Sequence, residues 1–245
     1  MLKDAKHKGF DKLFYYYNRL YLIQRHFHFV GIAGPLQPQA TEDRPILYLM
    51  NHSSWWDGLL AYHAARTITS GEHFFMMEEE QLRKYSFFRK LGAYSINRHD
   101  TGDIRASLRY TADLLHQGGR VWMYPEGEIL PLEHRPLHLK TGVGIVLRLC
   151  PEAFVVPVTL YHGLFKHSKP EATLLVGSVV SRPWHAMDRS AIGKELQAVL
   201  GEQLDDHRSR IINNDGYIPG DFTPLVKESR SVNEWLDAVR LWDRA

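Results

Sequence analysis

The sequence predicts an α/β fold: a mostly parallel central sheet flanked by helices, with an N-terminal amphipathic helix ahead of it. Three observations carry this. Apolar, β-rich runs alternate along the chain with segments of helical periodicity, the pattern of strands joined through helices that cover a sheet. The 245 residues, 44% hydrophobic and 24% charged, provide one large domain or two small ones with a real core, and argue against a disordered or collagen-like chain. Gly118-Gly119 closes one helical run at the place where helix C-termini take glycine.

The first 26 residues stand apart. Phe10, Leu13, Phe14, Tyr17, Leu20 and Tyr21 recur at helical spacing, among Lys3, Lys6, Lys8, Lys12, Arg19 and Arg25 with only Asp4 and Asp11 to oppose them. Such a helix either lies in a membrane interface, rings at headgroup depth and cations near anionic lipid, or covers its own sheet. Periodicity does not decide between the two. Strands are expected at 27–30, 46–50, 73–77, 94–97, 121–124, 154–161 and 172–180. Helices are expected at 57–68, 80–91, 103–117, 141–149 and 188–207. A last helix is expected at 231–242, with Val232, Trp235, Leu236 and Val239 on one stripe.

Several function classes are disfavoured at once. The net charge of +2 gives no nucleic-acid footprint. The single cysteine, Cys150, forbids an intrachain disulfide framework and a thiolate zinc cluster, and fits a reducing compartment. Beside Pro151 it reads as a buried, inert thiol rather than a nucleophile. His26 and His28 alternate on one expected strand, His134 and His138 are separated by Pro136, and no His-Glu-x-x-His occurs, so no metal site is expected. Gly142-Val143-Gly144 lacks the third glycine and the preceding strand of a dinucleotide fingerprint. No apolar run reaches the ~18 residues of a spanning helix, and the opening MLKDAKHKGF is no signal peptide. A cytoplasmic protein, soluble or peripheral at a membrane, is expected.

The strongest local signal is Asn51-His52-Ser53-Ser54-Trp55-Trp56-Asp57-Gly58, directly after the apolar run 46–50 and before a helical pattern. His52 then stands at the carboxyl end of a strand, where α/β sheets place their ligands. If the turn curls back, Asp57 accepts a hydrogen bond from one imidazole nitrogen and leaves the other free to take a proton from a hydroxyl. A His and an Asp at this spacing also occur as structural residues. Trp55 and Trp56 either wall a site against water or pack in the core. Ser53 and Ser54 adjoin His52, yet no Gly-x-Ser-x-Gly elbow exists to present a nucleophilic serine.

Three more segments follow in order. Gly92-Ala93-Tyr94-Ser95-Ile96-Asn97-Arg98 ends a strand with a cation. Tyr124-Pro125-Glu126-Gly127-Glu128 ends another with a Pro–carboxylate–Gly turn. Val155-Val156-Pro157-Val158 puts proline inside an apolar strand, where it is excluded except at an edge or bulge. Together with Asn-His-x4-Asp, these segments resemble the glycerophosphate/lysophosphatidate acyltransferase superfamily, from about residue 27 to residue 180. The resemblance implies an O-acyltransferase of lipid metabolism, such as phospholipid biosynthesis, with a domain over 27–245. Its motif-bearing core is 27–180 and its C-terminal helical portion 181–245. It implies transfer of an acyl group from an acyl thioester, acyl-CoA or acyl-ACP as co-substrate, to a lipid hydroxyl, with no other cofactor and no metal. It also implies a peripheral place on the inner face of a membrane. In it His52 is the general base and Asp57 its orienting partner. Arg98, Glu126 and Gly127 belong to the acceptor site, and Pro157 shapes the acyl-donor side. Apart from the resemblance, Lys140 stands at a helix start, where it binds a phosphate of coenzyme A or of the acceptor unless it is merely solvated; it is assigned to the donor side.

Two positions depart from the family pattern. The Pro-Glu-Gly turn usually continues Thr-Arg; here it continues Glu128-Ile129. Glu79 in Glu78-Glu79-Glu80 stands where a lysine is common. Loss of these cations disfavours a phosphate acceptor and favours a lipid or glycolipid hydroxyl, such as a carotenoid glycoside, unless Lys140 or Arg135 compensates. Two other readings use the same residues: a thioesterase or esterase in which water replaces the acceptor, and a non-catalytic lipid-binding protein.

Overall fold

The uniformly apolar run 46–50 forms a strand that meets water on neither face. Every residue of β2 (Ile46–Met50) is buried. Ile46, Tyr48 and Met50 pack in one apolar cluster and Leu47 and Leu49 in another, because alternate strand residues point to opposite faces. A strand covered on both faces has no polar side to show.

A computed structural model describes residues 1–38, 44–234 and 236. These build one sheet from β1 (Phe29–Ala33), β2, β3 (His73–Glu78), β4 (Ala93–Ile96), β5 (Arg120–Met123), β6 (Phe154–Gly163), β7 (Glu171–Val176) and β8 (Thr223–Pro224), in the order β4-β3-β5-β2-β6-β7-β1-β8. Pairing is parallel from β4 through β3, β5 and β2 to β6, and again between β7 and β1. Only β6–β7 and β1–β8 are antiparallel. The expected class, a mostly parallel sheet flanked by helices, is what the chain adopts.

The helices divide between the two faces. α3 (Asp57–Ile68) lays Leu60, Ala61, Ala64 and Ala65 on the side of Ile46 and Tyr48. α5 (Thr101–His116) and α6 (Gly142–Leu149) cover the other side with Leu108, Ala112, Val143 and Val146. α7 (Arg189–Ile212) packs beside α6 and β6. α4 (Glu79–Lys84) caps the sheet edge after β3.

The N-terminal helix runs as α1 (Lys8–Tyr17), a π-helical stretch Asn18–Ile23 and α2 (Gln24–His26). The stripe divides: part of it covers the domain and part faces outward. Phe14 is buried against Leu59, Tyr62 and Leu91, and Asn18 Nδ2 donates to the Leu59 carbonyl at 3.1 Å. Leu13 (68% exposed), Leu20 (51%) and Tyr21 (60%) face outward. Among the described residues no helix is long and apolar enough to cross a membrane.

Some boundaries differ from expectation for identifiable reasons. β1 lies at Phe29–Ala33 rather than 27–30, since Gly31 is inside the strand: a Cβ there would run into the Phe29 ring and stand 3.1 Å from the Thr223 carbonyl, so glycine makes room for the ring and for β8. The expected helix 80–91 is broken at Tyr85 into α4 and a 3-10 turn, Ser86–Leu91, that ends at the left-handed Gly92 (φ +100°). The strand expected at 172–180 stops at Val176; the chain swings out at Gly177 and Val180 returns as a single bridge to Val155. α7 runs on past 207 to Ile212. Of the helix expected at 231–242, residues 235 and 237–242 lie outside the described residues; 232–234 and 236 are helical.

Candidate active site

Four strand ends meet on one edge of the sheet. His52 follows β2, Glu78 ends β3, Arg98 follows β4 and the Pro125-Glu126-Gly127 turn follows β5. Parallel pairing alone brings them together, because each strand points its carboxyl end the same way.

His52 and Asp57 are joined by the turn between them. His52 Nδ1 donates to Asp57 Oδ2 at 2.8 Å. The same oxygen accepts the backbone N–H of Ser53 at 2.7 Å and of Ser54 at 2.9 Å. Asp57 is fully buried at the first position of α3, where the helix dipole favours a carboxylate. With Nδ1 engaged, Nε2 is the ring nitrogen left for the cavity that His52 lines. The ring stacks on Tyr124 at 4.4 Å between centroids.

The backbone under His52 is held from both sides. Asn51 Nδ2 donates to the Leu160 carbonyl at 3.0 Å and Asn51 Oδ1 accepts from Leu160 N at 2.8 Å. A side-chain amide thus extends the β2–β6 ladder one step beyond the last strand pair, Met50–Val158. Opposite, the buried Glu126 accepts from His52 N at 2.7 Å. Burial raises the Glu126 carboxyl above the ordinary range, partly offset by that donor. Glu126 does not line the cavity; it stands behind the histidine and fixes its main chain.

The cavity is about 930 Å³. Its apolar lining comes from two packing clusters: Leu59, Tyr62, Phe75, Phe88 and Leu91 from one, and Ile104, Leu108, Met123 and Val143 from the other. Its charged and titratable lining includes His52, Glu78, Arg98, Glu128 and Lys140. Trp55 lines the mouth and is 53% exposed, whereas Trp56 packs edge-on against Phe27 at 5.1 Å. The tandem tryptophans therefore split between site wall and core.

The cations in the cavity are paired with acids. Arg98 NH2 donates to Glu78 Oε1 at 2.7 Å, and its NH1 donates to the Gly127 carbonyl. Gly127 has φ +76°, and Lys140 Cγ would lie 3.3 Å from a Cβ there. Lys140 Nζ is 3.6 Å from Glu128 Oε1. Lys140 thus shares the cavity with the residues assigned to the acceptor. Arg135 pairs with Asp205 at 2.8 Å and does not line the cavity. Glu79 also turns away, toward Arg83.

Pro157 is not among the lining residues. It pairs with Leu49 of β2 at the point where the β6–β7 ladder is interrupted, and its carbonyl accepts from Gly177 N at 2.8 Å. The bulge at Gly177 is why a proline fits a central strand. Ser53 Oγ lies 3.3 Å from His162 Nε2, but neither residue lines the cavity.

Sequence reasoning missed Glu78, Asn51 as a clip and the position of Glu126. Asn51 sits inside the recognised motif; nothing local in the sequence pairs Glu78 with Arg98 or Glu126 with His52. Among known protein families, the model described as Acyltransferase matches residues 35–161, just over half of the chain. No curated protein matches it.

Proposed function

The chain belongs to the Acyltransferase family, and from that premise we propose that it moves a fatty acyl group from an acyl thioester to a lipid hydroxyl that carries no phosphate, with His52 as the general base. The observation that carries the mechanism is the His52–Asp57 contact of 2.8 Å beside a cavity with a largely apolar lining. Asp57 keeps the hydrogen on Nδ1, so Nε2 takes the proton of the acceptor hydroxyl as its oxygen attacks the thioester carbonyl. The tetrahedral intermediate then collapses, the carbon–sulfur bond breaks, and the imidazolium returns the proton to the thiolate. The thioester is already activated, so alignment of two substrates and one base suffices. General-base help of this kind contributes about 10²–10⁴-fold. The donor is acyl-CoA or acyl-ACP.

The acceptor reading rests on charge. Arg98 is tied to Glu78 and Lys140 faces Glu128, so the cavity lining offers no lysine or arginine without an acidic partner among the described residues. A phosphate dianion would have to displace one of these carboxylates and sit beside the other. Hydroxyl-rich headgroups suit carboxylates as acceptors of their hydrogen bonds. With one acyl-CoA and equal amounts of lysophosphatidate and an uncharged glycolipid, we expect the glycolipid product to dominate by about tenfold, equivalent to ~1.4 kcal/mol. Preference for lysophosphatidate, lost in Arg98→Ala, would show that Arg98 leaves Glu78 for the phosphate and would overturn this reading.

The outward stripe supports a peripheral place at the membrane. Leu13, Leu20 and Tyr21 are exposed, with Lys12 and Arg25 exposed nearby. Rings and leucines enter the interface while the lysine and arginine meet anionic headgroups. Replacing Leu13, Leu20 and Tyr21 by serine should reduce co-sedimentation with anionic vesicles about tenfold or more, since each buried apolar side chain contributes ~1.5–3 kcal/mol. Phe14 stays in place, so the melting temperature should hold. Unchanged co-sedimentation would remove the membrane reading.

A further inference from the structure

At the end of the sheet where β6 turns back into β7, groups from distant parts of the chain converge. His28 precedes β1, His167 lies in the turn between β6 and β7, and Glu171 opens β7. The two imidazole rings stack at 3.5 Å between centroids. One ligand atom from each of the three residues lies within 4.8 Å of the other two. His28 and Glu171 are buried.

The hydrogen bonds fix where the lone pairs are. His28 Nδ1 is 2.8 Å from the Ser229 carbonyl. A carbonyl only accepts, so Nδ1 carries the hydrogen and Nε2 carries the lone pair. Anchoring one ring nitrogen on a backbone carbonyl is how metal-binding histidines are oriented. His167 Nδ1 is hydrogen-bonded to Glu171. Glu171 is 3% exposed, and its side-chain partner is that imidazole rather than a lysine or arginine. A carboxylate so buried is held best by a full positive charge. Lys169 directs its ammonium to Ser229 Oγ at 3.1 Å, and Glu234 Oε2 lies 3.5 Å from His28 Nδ1.

We propose that His28, His167 and Glu171 form a binding site for a zinc-type divalent cation that ties the start of β1, the β6–β7 turn and the segment at Ser229 into one unit. Two imidazoles and one carboxylate are a ligand set that suits zinc, with a fourth position for water. Bonds of about 2.0–2.2 Å set tetrahedral ligand separations of roughly 3.4 Å, so the ion opens the His167–Glu171 contact and turns the two stacked rings until their in-plane lone pairs converge. The cation takes the place of the hydrogen between His167 and Glu171, which moves to the other ring nitrogen. His116, Cys150 and Glu152 also lie within ligand reach of one another. There burial pushes the thiol up to about 12, which opposes the thiolate a metal needs. Sequence spacing hides the proposed set, because it pairs His28 with His26 on one strand while the fold pairs it with His167.

Calorimetric titration of the full chain with zinc tests this, with cobalt(II) absorption reporting ligand type and a thermal melt reporting the tie. We expect one zinc per chain at micromolar Kd or tighter. We also expect a cobalt spectrum without thiolate charge transfer, and a melting temperature raised by about 5–10 °C at a hundredfold excess over Kd. His167→Gln, in a turn outside the strands, should weaken binding at least tenfold, and the exposed His138→Gln should leave it unchanged. No micromolar binding, equal binding by His167→Gln, or a thiolate band pointing to Cys150 would each overturn the proposal.

Discussion

His52→Ala should lower acyl transfer by about 10³-fold or more and leave the melting temperature within about 2 °C of the parent. The His52 imidazole lines the cavity with its Nδ1 hydrogen fixed on Asp57 and Nε2 left to take a proton. Its ring lies over Tyr124 at the cavity wall and is only half-buried, so truncation opens little core. The backbone contacts from His52 N to Glu126 and from Leu130 N to the His52 carbonyl do not depend on the side chain. Turnover and melting temperature measured on one preparation separate chemistry from fold. A folded His52→Ala protein with near-parental turnover would remove the general base from the account.

Asp57→Asn should cost about 10²–10⁴-fold in kcat with a smaller effect on KM, and should also lower stability by about 1–3 kcal/mol. Three donors converge on Asp57 Oδ2, from His52, Ser53 and Ser54. An asparagine oxygen still accepts from them, but without the charge that strengthens each bond and suits the helix N-terminus. If the amide nitrogen turns toward the ring instead, it donates where Asp57 accepts, and the imidazole hydrogen moves to Nε2. The base is then blocked at the nitrogen it needs. Assay of kcat and KM beside a thermal melt distinguishes this from simple destabilisation. A loss confined to stability would reduce Asp57 to a helix cap.

Legibility in the sequence followed the range of the interaction. β2 and α3 could be read because both faces of the strand and one face of the helix are written in adjacent residues. The His52–Asp57 contact was accessible for the same reason, since five residues of turn close it. The Arg98–Glu78 and Lys140–Glu128 pairs were not, because the neighbours come from different strands and loops and depend on strand order. Glu126 shows the limit most clearly. Its turn was recognised and assigned to the acceptor, yet the carboxylate turns back onto His52 N, a contact set by the parallel register of β2 and β5. The N-terminal stripe held two answers at once. Phe14 packs and Leu13, one residue away, does not, and what decides is the cover that Leu59 and Tyr62 of α3 and Leu91 supply to Phe14.

Acyl-CoA turnover with and without a lipid hydroxyl, followed by thiol release and by mass spectrometry of the lipid, reaches the central claim in one assay. The account predicts that coenzyme A release depends on the acceptor, is matched mole for mole by acylated lipid, and disappears in His52→Ala. Release without acceptor, accompanied by free fatty acid, would make the protein a hydrolase. No release with any thioester donor or hydroxyl lipid, in a folded protein that binds lipid, would make the His52–Asp57 pair structural and contradict the account outright.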